Sequence, residues 1–230
     1  MPTDPKKRQK KKEKQAAKRK AKHQQLVRAK SAGLPQQLAG ASRYPILHCW
    51  VSENVWDQGL GYVCLSRELP GQQVAFVLFL LDRYCLGVKD AIARVDGRFT
   101  YDSRITREMR GKSPAHDVTP ACARKLVEGA VAYARDLGLH PHPDYQTAKL
   151  IFGNINAAEC TEEFEYGKDG KPFFVAGPYD TPARCRAILA ALERSRGPGG
   201  FHYVMPIESD TEIREIDDWQ PEDELQEEDE

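Results

Sequence analysis

The chain lacks any stretch approaching the ~18 consecutive apolar residues that a membrane-spanning helix requires. Its longest apolar run, Val74–Leu81, has the length of a strand, so a soluble protein with no membrane partner is expected. A secretory signal would need an apolar segment soon after its positive start, and here Lys-rich sequence continues to Leu26-Val27, which argues against export. Cys-x-x-Cys pairs are missing too. The six cysteines, Cys49, Cys64, Cys85, Cys122, Cys160 and Cys185, are widely scattered, each in or beside an apolar stretch. They read as small buried hydrophobes in a reducing, cytoplasmic setting, not as disulfides or zinc ligands. No Ser-His-Asp ordering, His-Glu-x-x-His or glycine-rich nucleotide loop occurs, and the strand signatures of RNA-recognition folds are absent. Motifs therefore give no reason to expect a cofactor or a metal.

What is present is charge, sorted to two ends. Residues 1–30 hold ten Lys and three Arg against Asp4 and Glu13, and residues 207–230 hold thirteen acidic side chains against Arg214. The 176 residues between them carry 20 basic and 19 acidic groups, so the formal net charge of zero describes two opposed segments rather than a neutral surface. A basic arm is an electrostatic address for polyanions, and an acidic segment of like magnitude can cover or imitate such a target.

The basic arm and linker, 1–43, contain almost no large apolar side chain before Leu26. They cannot bury enough surface to offset the entropy of ordering, so the arm is expected to be disordered or only nascently helical in solution. The side chains placed to contact phosphates are Lys6, Lys7, Arg8, Lys10, Lys11, Lys12, Lys14, Lys18, Arg19, Lys20 and Lys22. Gly33, Pro35 and Gly40 mark 31–42 as a linker. The acidic segment, 208–230, is likewise expected to be disordered, with Trp219 and Leu225 as isolated apolar points.

Residues 44–207 read as one domain. Strands are expected over 46–51, 60–69 and 72–81, with Pro70-Gly71 turning the second into the third as an antiparallel hairpin. The third run is apolar on both faces and is the natural central strand. Thr119-Pro120 opens a helix over 120–137 whose Leu126, Val127, Ala130, Val131 and Ala134 share one face, and Gly138 closes it. Thr181-Pro182 opens a second helix, closed by Gly197, and a shorter one is expected over 144–152. A hairpin centred on Asp169-Gly170 over 164–176 and a final strand over 201–207 complete an α+β domain: a largely antiparallel sheet packed against two or three helices.

Candidate chemistry concentrates where the apolar strand ends, in Asp82-Arg-Tyr-Cys-Leu-Gly-Val-Lys-Asp90. Asp82 and Asp90 are a possible pair of carboxylates for a divalent cation, with Lys89 facing a phosphate, and Cys85 is a nucleophile candidate without an identifiable base. The plainer reading is that Asp82 and Arg83 end the strand, Gly87 turns, and Lys89-Asp90 are solvated. His140-Pro-His142-Pro-Asp144 has metal-binding atom types, but the prolines keep the imidazoles off a common helical face and no third ligand is evident. A rigid loop between helices is the simpler reading. Gly177-Pro178-Tyr179-Asp180 before Thr181 reads as a turn with a helix cap more readily than as an anion site. Trp50, Tyr62, Phe76 and Phe79 lie among aliphatics and read as core rather than as a base-stacking platform, while Trp56 and Tyr84 are expected at the surface.

The blocks Phe79–Ala91 and Gly167–Pro182 resemble stretches of an uncharacterised group of bacterial hypothetical proteins. The resemblance implies a bacterial, cytosolic origin and a domain that recurs as a unit; it implies no activity. Three functions remain open. The first is a binding module whose Lys-rich arm engages RNA, DNA or a ribonucleoprotein. The second is a metal-assisted phosphoesterase or nuclease on Asp82 and Asp90, with Glu128 or Asp180 nearby. The third is an interaction protein whose acidic segment engages a basic protein partner.

Overall fold

Alternating apolar residues in successive segments build the centre of the molecule, which the computed structural model describes over residues 33–110 and 114–205. Strands β1 (Ile46–Ser52), β2 (Leu60–Leu69), β3 (Gln73–Asp82), β4 (Gly87–Gly97) and β5 (Ala115–Asp117) form one antiparallel sheet in the order β4-β3-β2-β1-β5. β3 lies between β2 and β4 and is covered on both faces, as its unbroken apolar run requires. Val77, Phe79 and Leu81 face Leu126, Val127 and Ala130, whereas Val74, Phe76 and Leu78 face Tyr101 and Ile105.

Helices α1 (Leu34–Ala41), α2 (Asn54–Asp57), α3 (Arg98–Tyr101), α4 (Pro120–Asp136), α5 (Tyr145–Ala148) and α6 (Pro182–Arg196) accompany the sheet, so the fold is α+β. α4 and α6 start as their sequences dictate: Thr119 Oγ1 accepts from the Cys122 amide at 3.2 Å, and Thr181 Oγ1 from the Arg184 amide at 3.3 Å. A 3-10 turn, Lys149–Phe152, continues α5, so the short helix expected over 144–152 changes hydrogen-bonding pattern half-way. The residues expected to be a linker, 31–42, instead contain α1, whose Leu38 and Ala41 are fully buried. A pair of apolar side chains with helical spacing, Leu38 and Ala41, outweighs the glycine within the helix, Gly40.

Gly87 to Asp90, expected as a turn and solvated charge, instead begin strand β4, whose Ala91, Ala93 and Val95 face the core in alternation with Asp90, Ile92 and Arg94. The following 98–109, which carried no expectation, forms α3 and a run of π-helical turns over Asp102–Met109 on the sheet face opposite α4. Between Phe164 and Val175 no hairpin of two strands forms. Only Lys168 and Lys171 pair around the Asp169-Gly170 turn, while β6 (Phe173–Val175) runs parallel to β7 (His202–Val204). Tyr166 is drawn onto α4 instead, its hydroxyl donating to Leu126 O at 3.2 Å. Residues 206 and 207, expected to end the last strand, lie outside the described residues.

The expectation of no disulfide is overturned: Cys122, in the first turn of α4, is bonded to Cys160 across 38 positions of sequence. Nothing local in the sequence marks the pair, because the loop after the 3-10 turn folds back over α4 only in three dimensions. Cys49, Cys64, Cys85 and Cys185 are free and buried, as small hydrophobes should be. Buried Arg67 ties the same region down by donating to the Tyr44, Ile151 and Phe152 carbonyls at 2.7, 3.0 and 3.2 Å.

Candidate functional site

At the end of β3 the chain must turn back, and Asp82 makes that turn. Its carboxylate accepts from the Tyr84 and Cys85 amides at 3.0 and 2.9 Å and is 8% exposed. Burial pushes its pKa up to about 6, against the opposing pull of the Cys85, Leu86 and Tyr84 amides and of Lys89. Asp82 thus bonds the backbone of its own loop. Cys85 is fully buried, and burial together with the neighbouring Asp82 charge raises its thiol pKa well above the ordinary value, which is the reverse of what a nucleophile needs.

Gly87, with φ +68, brings β4 against α4 so closely that an added Cβ would lie 2.9 Å from Ala130 O. Two residues later Lys89 reaches away from solvent. Its Nζ lies 2.9 Å from Asp180 Oδ2, which also accepts from the Gly177 amide at 2.8 Å, while Asp180 Oδ1 is 3.2 Å from Arg184 Nε. Lys89 is neither solvated, as the plainer reading has it, nor turned to an external phosphate, but is committed to a carboxylate of its own chain. Burial alone would raise the Asp180 pKa, but Lys89, Gly177 and Arg184 hold it below the ordinary carboxylate value. The turn before α6 therefore serves as an internal anion seat filled by Asp180.

Asp90 points elsewhere. Its Oδ1 lies 3.8 Å from His142 Nδ1, and that nitrogen is 3.7 Å from Asp144 Oδ2. Among the described residues, these three bring metal-donor atoms together, all within 4.8 Å of one another. The third ligand beside His142 and Asp144 stands on β4, fifty-two positions before His142. His140 is not in the group. Of the other carboxylates considered, Glu128 pairs with Arg124 at 2.8 Å. Asp82, Asp90, Glu128 and Asp180 thus have four separate sets of partners rather than one common focus.

A cleft of about 350 Å³ adjoins this region, lined by Val88, Lys89, His140, His142, Arg184 and Ile188 among others. A second, of about 480 Å³, opens beside Tyr62, Leu80 and Met109 on the opposite sheet face. Trp50, Phe76 and Phe79 are buried, as expected of core aromatics, so they offer no stacking platform. Trp56 and Tyr84, expected at the surface, are half-buried, and the Arg83 guanidinium lies 5.6 and 5.2 Å from their two ring centres.

The arm residues Lys6 to Lys22 and the acidic segment with Trp219 and Leu225 lie outside the described residues. No helix among the described residues is long and apolar enough to cross a membrane. Compared with family models, curated proteins and solved structures, the chain matches none of them.

Proposed function

We propose that this chain is a binding module that engages RNA, DNA or a ribonucleoprotein through the Lys-rich arm, residues 1–30, with the α+β domain as its cargo. The observation that carries this reading is the excess of thirteen basic over two acidic side chains in the arm, beside a following stretch of 20 basic and 19 acidic groups. Lysines that neutralise phosphates release condensed counterions, which gives affinity for any polyanion regardless of base sequence. The separate commitments of Asp82, Asp90, Glu128 and Asp180 favour a binding role over a nuclease built on those carboxylates. The test is fluorescence anisotropy of a labelled single-stranded RNA across a salt series, with the intact chain and with residues 1–30 deleted. The intact chain is expected to lose affinity with a log–log salt slope of about −0.7 for each phosphate contacted. Equal binding by the deleted form overturns the reading.

A further inference from the structure

We propose that Asp90, His142 and Asp144 form a site for a first-row transition-metal dication of the Zn²⁺ class, closing the gap between edge strand β4 and the loop over 139–144. This goes beyond polyanion binding and does not depend on the arm. The three donors come from two elements that the fold fixes relative to each other. The His142 amide donates to Val88 O at 2.8 Å, so the loop is stitched to the edge of β4 two residues from Asp90. Pro141 and Pro143 restrict the backbone on both sides of His142. Asp144 stands immediately before α5 yet makes no side-chain cap bond, so its carboxylate is turned to the His142 ring instead of to the helix amides.

The spacing suits a metal. Bonds of about 2.1 Å to nitrogen and oxygen put neighbouring ligands of a tetrahedral ion about 3.4 Å apart. The 3.7 and 3.8 Å separations around Nδ1 need only a small contraction to reach it. Rotation of the Asp144 carboxylate, whose side chain is 68% exposed, and a small shift of the His142 ring supply it, while Asp90 Oδ1 stays held by the Ala91 amide at 2.7 Å. The ion displaces one weak interaction, the 3.3 Å bond from the Asp144 amide to Nδ1. Two carboxylates match the charge of a dication. One imidazole among oxygen donors favours Zn²⁺, Co²⁺ or Mn²⁺ over the all-oxygen coordination that Ca²⁺ and Mg²⁺ prefer. Three protein ligands at a half-open surface leave a position for water.

The experiment is calorimetric titration of the full-length, tag-free, chelator-treated chain with Zn²⁺, paralleled by visible absorption with Co²⁺. A single equivalent is expected to bind, and His142→Ala and Asp90→Asn are each expected to weaken binding by at least ~10-fold, while His140→Ala leaves it unchanged. Circular dichroism checks that each variant is folded; Asp144→Asn gives a third, independent removal of a donor. Absence of Zn²⁺ binding overturns the proposal, and so does binding that survives both His142→Ala and Asp90→Asn, which assigns the metal to other groups such as the acidic side chains of 207–230. Neither outcome bears on whether the arm binds RNA.

Discussion

Lys89 Nζ and Asp180 Oδ2 meet at 2.9 Å with side chains only 17% and 3% exposed, joining β4 to the turn that opens α6. Removing one member of a buried pair strands the other, at a cost of about 3–5 kcal/mol. The two members are not equivalent. Asp180→Ala leaves Lys89, Arg184 and the Gly177 amide all without their acceptor, whereas Lys89→Met leaves Asp180 with two of its three donors. Urea denaturation at neutral pH is expected to show both variants destabilised, Asp180→Ala by the larger amount. A larger loss for Lys89→Met contradicts the arrangement. Because the folded-state pKa of Asp180 is depressed, its contribution is present above the unfolded value near 3.8 and fades as pH falls through the folded one.

Asp82 has the opposite linkage. Its pKa is raised from 3.8 to about 6 in the folded protein, so between those values the unfolded chain has released a proton that the fold retains. Stability therefore falls as pH rises from about 4 to 6 and is level above, by roughly 3 kcal/mol on the scale of 1.36 kcal/mol per unit. An amide oxygen can still accept from the Tyr84 and Cys85 amides. Asp82→Asn is accordingly expected to be near neutral at pH 4 and stabilising at pH 7, which a denaturation series over pH 4–8 checks. A variant less stable than the parent by the same amount at every pH sinks this account, whereas the nuclease reading calls for Asp82 as a charged metal ligand.

Strands and helices with a strong period were legible in sequence, and those whose identity depends on a distant partner were not. β2 runs from Leu60 to Leu69, up to the Pro70-Gly71 turn that ends it, and α4 starts at Pro120 because Thr119 caps it. β4 escaped because Lys89 and Asp90 look solvated until Asp180 and His142 are brought to them from 91 and 52 positions away. β6 and β7 are three residues each, and their pairing is decided by the packing of Phe174 between α4 and α6 rather than by a turn. The candidate site was half legible: Asp90 and His142 were both singled out, on separate grounds. Their convergence lies in the stitch between His142 and Val88, which no local pattern encodes.

The disulfide offers a count as well as an energy. Alkylation of the unfolded protein without reductant is expected to modify four cysteines, Cys49, Cys64, Cys85 and Cys185, and with reductant all six. Closing a loop of 38 residues restricts the unfolded chain by about 4 kcal/mol in the chain-entropy model. Guanidinium unfolding with and without a phosphine reductant, and of Cys160→Ser, is expected to show losses of about 2–4 kcal/mol that agree with each other. Six alkylated cysteines in the absence of reductant mean that the bond does not form in solution.

The opposed charges of the two end segments make a prediction that separates attraction within the chain from attraction to nucleic acid. Segments of +11 and −12 on one chain attract each other when salt is low and are screened beyond about 10 Å at 0.1 M. The acidic side chains of 208–230 then compete with RNA phosphates for the same lysines. Deleting 208–230 is expected to tighten RNA binding in dilute buffer and to leave it unchanged at high salt, so the truncated chain shows the steeper salt slope. Anisotropy titrations of both forms across the same salt series decide it. Unchanged affinity at the lowest salt rules out the competition and leaves the acidic segment free to serve a basic protein partner instead.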